Sequence, residues 1–276
     1  ARIGPVLALL RLKEANVLVS RGELERALEA RQEALALQRA HVAARPDSVA
    51  ARRGLTAALT DLAHALIARG ERPAADALVD EALAQNDALR AQDPTSPVLA
   101  RDRAVVLAIR GDNLRVQGSA REALATFEEV MALQRGLVEQ DPEAVHDAQR
   151  LATTLTNVGE VREALGDLAG AVAAFAEATA RYGANVEHDP TDATAQRHLS
   201  RSLAREGDLA LLRGDPAAAI ASFDSSLLLR RRLVALEPTS FDARHDLARA
   251  LERAGEARAA SGGVAAGLPA WEEAAA

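Results

Sequence analysis

The segment GDLAGAVAAF at residues 166–175 returns as GDPAAAIASF at residues 214–223 and, more loosely, as GSAREALATF at residues 118–127. The copies lie 48 residues apart, and each has glycine first, alanine sixth and phenylalanine tenth. The same interval separates two further sets, Pro46, Pro94, Pro142, Pro190 and Pro238, and Gly22, Gly70, Gly118, Gly166, Gly214 and Gly262. One period along the chain predicts a repeat array, in which each repeat buries its apolar face against its neighbours.

The repeat overrides the length of 276 residues, which alone would suggest one or two globular domains. We expect a single elongated domain over residues 1–276, made of about six repeats of which the first and last are incomplete. Their approximate bounds are 1–46, 47–94, 95–142, 143–190, 191–238 and 239–276.

Each repeat is predicted to hold two helices. In the third repeat, Ser96 followed by Pro97 is typical of a helix start, and Ser119 with Glu122 has the capping-box pattern of a second start. The second helix should end just before the proline of each repeat, because proline disfavours helical geometry in the preceding residue. Two helices of about 20 residues joined by tight turns run antiparallel, so the fold class is all-α. The positions equivalent to Ser96 are Ser48, Ala144, Asp192 and Ser240.

Small and large residues alternate in fixed columns that predict the core. The second helices carry the small column Ala27, Ala75, Ala123, Ala171 and Ala219, followed four residues later by Arg31, Val79, Phe127, Phe175 and Phe223, and Trp271 continues this second column. The first helices carry Ala63, Gly111, Gly159, Gly207 and Gly255. Since glycine inside a helix costs stability, this column indicates close contact between the two helices of a repeat. We expect Gly159→Leu to destabilise the fold by about 1–3 kcal/mol.

Composition excludes several classes of function. The formal net charge is −7 and aromatic residues make up 2% of the chain, so the basic, stacking surface of a nucleic-acid-binding protein is not expected. There is no cysteine, which excludes thiol catalysis, disulfides and thiolate metal sites. No run of 18 apolar residues and no signal-peptide pattern occurs. No membrane partner is therefore expected, and the expected location is cytoplasmic.

The columns resemble the tetratricopeptide repeat (TPR), in a long variant common in large bacterial proteins. The residues in the family's spacing are, in the third repeat, Leu107, Gly111, Gly118, Ala123, Phe127 and Val130, and in the fourth, Leu155, Gly159, Gly166, Ala171, Phe175 and Ala178. The resemblance implies a right-handed superhelical solenoid of antiparallel helix pairs. It also implies that the first helices line a concave face that binds a protein or peptide.

Carrying over the family's groove-facing offsets gives a candidate binding face. One column, Asn16, His64, Asp112, Glu160, Asp208 and Glu256, is largely acidic, and a neighbouring one holds Ala57, Val105, Thr153, Arg201 and Arg249. The functional interpretation is a docking strip for a basic or amphipathic segment. The alternative is that Arg205–Asp208 and Arg253–Glu256 are pairs within one helix that only solubilise it. The residues predicted to form this face are His64, Asp112, Thr153, Glu160, Arg201, Asp208, Arg249 and Glu256.

No catalytic, cofactor or metal site is expected. The histidines form no metal-binding motif and are interpreted as solvated residues on helix faces. The glycine-rich segment Ser261–Gly267 lacks the lysine of a phosphate loop and is interpreted as a loose turn. Gly183 should soften its helix.

Three functions are compatible with this sequence. The first is a scaffold that holds a partner segment or another domain of its parent chain. The second is a structural array whose exposed apolar ends stack head to tail. The third is the regulatory arm of a larger bacterial signalling enzyme, with the catalytic domain outside these residues.

Overall fold

The first helices of successive repeats begin 48 residues apart, at Val49, Pro97, Val145, Ala193 and Phe241, in the computed structural model of the chain. The structure describes residues 3–275, and within them it contains twelve α-helices and no strand. The helices are α1 Ile3–Ser20, α2 Leu24–Ala44, α3 Val49–Arg69, α4 Arg72–Arg90, α5 Pro97–Val116, α6 Ala120–Gln140, α7 Val145–Ala164, α8 Leu168–His188, α9 Ala193–Leu212, α10 Pro216–Leu236, α11 Phe241–Gly262 and α12 Val264–Ala275. The predictions of an all-α class and of paired helices are confirmed.

A left-handed glycine ends the first helix of each repeat. The φ angles lie between 73° and 83° at Gly22, Gly70, Gly118, Gly166, Gly214 and Gly263. In the sixth repeat the turn has moved by one residue, since Gly262 is the last residue of α11. The prediction of a loose turn over Ser261–Gly267 is therefore wrong. Only Gly263 lies outside the two helices, because one glycine is enough to reverse the chain.

Helix starts agree with the sequence pattern at several caps and disagree at two. Ser48, Asp192 and Ser240 accept hydrogen bonds from backbone N–H groups of their helices. Ser96 and Ser119 do not, so the predicted capping box at Ser119 does not form. The positions equivalent to Ser119 hold Asp167 and Asp215, which do cap their helices. Their carboxylates reach one bond further than a serine hydroxyl.

The chain clusters into two compact halves, residues 1–141 and 142–276, and each half has its own core. In the N-terminal half, α3, α4 and α6 contribute the fully buried side chains Leu59, Val79 and Val130 to one cluster. In the C-terminal half, Phe175 packs with Leu209, and Phe223 packs with Leu251. In both halves the two helices of a repeat contact each other, and adjacent repeats are joined by contacts of α2 with α3, α4 with α5, α8 with α9 and α10 with α11.

The glycine column lies beneath the aromatic column. A Cβ atom added to Gly159 would lie 2.9 Å from the ring of Phe175, and one added to Gly111 would lie 2.7 Å from the ring of Phe127. The close contact predicted between the helices of a repeat is thus a ring resting on a helix backbone. Where the second helix carries Arg31 or Val79 instead of an aromatic ring, the first helix has Ala15 or Ala63.

Candidate functional site

In the C-terminal half, two acidic residues of the predicted column form ion pairs with arginines on the first helix of the following repeat. Glu160 on α7 has a side chain only 16% exposed, and its Oε1 lies 2.8 Å from Nη2 of Arg201 on α9. Asp208 on α9 pairs in the same way with Arg253 on α11, at 2.5 Å. A basic segment of a partner would have to compete with these arginines for both carboxylates.

The pairs within single helices also form. Arg205 lies 3.8 Å from Asp208, and Arg253 lies 2.5 Å from Glu256. Arg205 reaches back to α7 as well, where its guanidinium lies 3.0 Å from the carboxylate of Glu163. Charges on this surface therefore stabilise both single helices and contacts between neighbouring first helices.

In the N-terminal half this column contains one acidic residue, Asp112. His64 is exposed on α3, and Asp112 on α5 forms an ion pair with Arg115 at 3.5 Å. The two helices are bridged by Arg53 on α3, which donates from Nε and Nη2 to Asp102 on α5 at 2.6 Å and 3.2 Å.

Thr153, Arg201, Arg249 and Glu256 are the exposed members of the predicted face in the C-terminal half. Thr153 donates to the carbonyl of Gln149 at 3.0 Å, and its hydroxyl lies 3.0 Å from that of Tyr182. Arg249 forms no ion pair with any residue that the structure describes. Among these four residues, Thr153, Arg201 and Glu256 already have partners, and Arg249 is the unpaired cation.

A polar recess opens beside Thr153, between α7, α8 and α9. Its volume is about 270 Å³. It is lined by His146, Gln149, Arg150, Thr153, Tyr182, Thr194, Ala195 and His198. The side chain of Arg150 is exposed and has no ion-pair partner among the described residues.

Two stacked rings form one wall of this recess. The centroids of Tyr182 and His198 are 5.2 Å apart, and their planes differ by 10°. Tyr182 is 2% exposed, and burial raises the pKa of its hydroxyl. Burial and the nearby charges of Arg201 and Arg197 lower the pKa of His198 below its ordinary value. Both rings are therefore uncharged at neutral pH.

The recess exists because the residues that bridge α3 and α5 are replaced here. Gln149 stands in the column of Arg53, and His198 stands in the column of Asp102. The bidentate ion pair of the N-terminal half has no counterpart between Gln149 and His198, and the His198 ring turns to stack on Tyr182 instead. An opening remains between the two first helices.

Sequence reasoning missed these residues. It interpreted His198 as solvated, whereas the ring is half-buried, and it gave Tyr182 no role. The available signal was compositional: Tyr182 is the only tyrosine of the chain. It occupies a column otherwise made of Gln38, Asn86, Gln134 and Arg230.

No protein-family model and no curated protein matches the chain. Among similar solved structures, one from Podospora anserina, of kinesin-light-chain type with nearly identical TPR-like repeats, has a TM-score of 0.52 and 15% identity. That match covers 81% of this chain and 94% of the other. The fold is that of a TPR array.

Two other TPR-like neighbours cover nearly the whole chain. BtubC (BKLC) from P. vanneervenii has a TM-score of 0.69 and 16% identity, covering 91% of this chain and 89% of that one. The apo form of RapI has a TM-score of 0.59 and 11% identity, and covers 97% of each chain. At these identities the likeness shows the TPR fold alone.

Within residues 3–275, no three His, Asp or Glu side chains converge as a metal-binding group would. No helix in the same residues combines the length and the apolar character that crossing a membrane requires.

Proposed function

We propose that this TPR array is a protein-interaction scaffold that holds a segment of a partner, or of another domain of its parent chain, on its first-helix face. That face is defined by His64, Asp112, Thr153, Glu160, Arg201, Asp208, Arg249 and Glu256. The array itself carries no reaction in this proposal. If it serves as the arm of a larger enzyme, the same face would hold the other domain.

One observation carries the proposal: the interior repeats its residue types, whereas this face varies from repeat to repeat. Interior positions return as leucine in every repeat from the second to the sixth, as in Leu59, Leu107, Leu155, Leu203 and Leu251. The face position runs through Ala57, Val105, Thr153, Arg201 and Arg249. Variation at an exposed position suits a specific binding face, since the stacking of repeats depends on the interior.

The structure changes how the proposal should be tested. Reversing Glu160 and Asp208 to lysine would break the ion pairs with Arg201 and Arg253, so a loss of binding would be hard to separate from a loss of packing. Thr153 and Arg249 are exposed, and their replacement leaves those pairs intact.

The test is a peptide array probed with the purified chain, followed by calorimetry on the peptides that bind. The variant Thr153→Glu/Arg249→Glu should weaken binding at least about tenfold. The matched variant Ala184→Glu/Arg232→Glu makes the same charge changes on α8 and α10, and it should bind like the unaltered chain. Equal binding by all three proteins would place the interface elsewhere and refute the proposal.

Self-association is a second candidate, favoured by the exposed apolar side of α1. Ile3 and Leu10 are 78% and 55% exposed, whereas the equivalent Ala51 and Ala58 on α3 are buried. We propose that a second copy of the chain covers this side. Sedimentation equilibrium should then show a dimer that Leu10→Glu dissociates and Leu212→Glu, on α9, does not. A monomer at every concentration contradicts it.

A further inference from the structure

We propose that the recess between α7, α8 and α9 is a carboxylate-binding subsite, in which the guanidinium of Arg150 pairs with the carboxylate and the surrounding polar groups donate hydrogen bonds. This inference rests on the proposed function, because the carboxylate would belong to the bound segment. The acidic column of the face predicts a basic ligand, whereas this recess would bind an acidic group.

The charge of the lining selects a singly charged anion. Arg150 supplies one full positive charge, and no acidic residue is among the residues that line the recess. The neighbouring Arg197 and Arg201 are already paired, with Glu237 and Glu160. A group with a single negative charge balances Arg150, whereas a phosphate dianion would not be balanced. The planar fork of a guanidinium also matches the two oxygens of a carboxylate.

Neutral groups around Arg150 complete the set of donors. The hydroxyl of Thr194 and the amide of Gln149 can donate, and an uncharged imidazole still offers one N–H, as at His198. Since the Tyr182 ring stacks against it, the orientation of the His198 ring is fixed before a ligand arrives. A carboxylate accepts up to about four hydrogen bonds, so this lining can satisfy it.

One acidic residue near the recess is already engaged. Asp192 raises the pKa of His198 by its charge, which shows that it lies near the recess. Its Oδ1, however, accepts hydrogen bonds from the backbone N–H groups of Thr194 and Ala195, at 2.8 Å and 3.0 Å. Asp192 is thus committed to capping α9 and does not neutralise Arg150 by direct contact.

The size of the recess selects a small group. A volume of about 270 Å³ is slightly below the range of about 300–1,000 Å³ that holds drug-sized ligands. It suits the end of a peptide chain, or one acidic side chain, and not a whole cofactor.

The experiment titrates the full chain with small model compounds, so it needs no identified partner. N-acetylglycine represents a free C-terminus, N-acetylglutamate amide represents an acidic side chain, and N-acetylglycinamide is the uncharged control. NMR follows the imidazole signals of His146 and His198 and the ring signals of Tyr182. Saturable shifts of these signals are expected with the two carboxylates and not with the control compound.

Two variants test the role of Arg150. Arg150→Gln should raise the dissociation constant of the carboxylates about tenfold or more, because the charge-assisted pair is lost. Arg213→Gln removes an exposed arginine at the other end of α9, roughly 28 Å away along the helix. It should leave binding unchanged. Arg150 is exposed and unpaired, so circular dichroism should show normal helicity in its variant.

The outcomes separate this inference from the proposed function. Equal binding of N-acetylglycine and N-acetylglycinamide, or unchanged binding by Arg150→Gln, overturns the subsite even if peptides bind the first-helix face. Carboxylate binding with no peptide binding supports the subsite and counts against the scaffold. If N-acetylglycine binds more tightly, the group recognised is a chain terminus; if N-acetylglutamate amide does, it is an acidic side chain.

Discussion

Gly159 and Phe175 form one packing unit, and their counterparts recur in four successive repeats. Beneath an aromatic ring the first helix has glycine, as at Gly111 and Gly207, because a Cβ would meet the ring at less than 3 Å. Beneath Arg31 and Val79 it has alanine. The residues of this pair are therefore exchangeable together and not singly.

The first prediction concerns this pair. Gly159→Leu should destabilise the C-terminal half by about 1–3 kcal/mol through overpacking. Gly159→Ala should also destabilise it, and adding Phe175→Val should cost less than the two single changes combined, because the pair then matches Ala63 and Val79. Urea unfolding of the unaltered chain, of Gly159→Ala, of Phe175→Val and of the double variant measures the coupling.

Gly183 provides the control for this prediction. It lies within α8, and a Cβ added there meets no atom within 4 Å. Gly183→Ala should therefore stabilise the chain by about 0.5–1 kcal/mol, since alanine is the better helix former. The packing argument fails if Gly159→Ala and Gly183→Ala change stability in the same direction.

The second prediction concerns the half-buried carboxyl of Glu206 on α9. Burial raises the pKa of Glu206, and a hydrogen bond from Thr179 offsets this only in part. A raised carboxyl pKa means that the folded state favours the protonated form. This stabilising contribution is present below the unfolded-state pKa of about 4.3 and is lost as the pH rises through the folded-state pKa.

Glu206→Gln should therefore raise the melting temperature at pH 7, and the gain should shrink as the pH falls towards 4. Thermal melts at both pH values measure it. Glu187→Gln, an exposed glutamate on α8, should show no such pH-dependent gain. A melting temperature that Glu206→Gln lowers at pH 7 would show that the ionised side chain stabilises the fold.

At the scale of the elements, one polar pair distinguishes the packing of α4 on α5. Asn113, fully buried on α5, donates from Nδ2 to Oδ1 of Asp76 on α4 at 2.6 Å. Other repeats have apolar residues at both positions. The equivalents of Asp76 include Leu28, Leu124, Val172 and Ile220, and those of Asn113 include Ala65, Val161, Leu209 and Ala257.

The third prediction is that Asp76 and Asn113 are energetically coupled. Asp76→Leu alone should cost about 1–3 kcal/mol, because the buried amide of Asn113 loses its acceptor. Adding Asn113→Val should recover most of this loss, since the pair then matches the apolar contacts of the other repeats. A double-mutant cycle by urea unfolding tests the coupling, and strictly additive effects would contradict it.

At the scale of the whole molecule, each compact half has its own buried core, so each should fold alone. The fourth prediction is that the fragment 142–276 keeps the helicity per residue of the intact chain, measured by far-ultraviolet circular dichroism. The matched fragment 119–276 begins with α6 but lacks α5, which leaves Phe127 and Val130 without their partner helix. It should melt less cooperatively. An unfolded 142–276 fragment would contradict the division into two self-sufficient halves.

The sequence by itself determined the helical pairing and most helix boundaries. Glycine, proline and capping residues act on the backbone next to them, so their spacing is readable without coordinates. The same holds for the glycine and aromatic columns, whose pairing appears as two columns with one period. Where a local signal was marginal, as at Ser119 and at Gly262, the prediction was wrong by a missing hydrogen bond or by one residue.

Only the tertiary structure decided which side chains meet on the surface. The ion pairs of Glu160 with Arg201 and of Asp208 with Arg253 join residues 41 and 45 positions apart. The recess brings together side chains from three helices. Which arginine pairs with which acidic residue depends on the distance between helices and on side-chain rotamers. The same two quantities decide whether the Tyr182 ring fills the space between its neighbouring helices or leaves a recess there. Neither quantity is encoded in a local pattern, because each depends on all the neighbours at once.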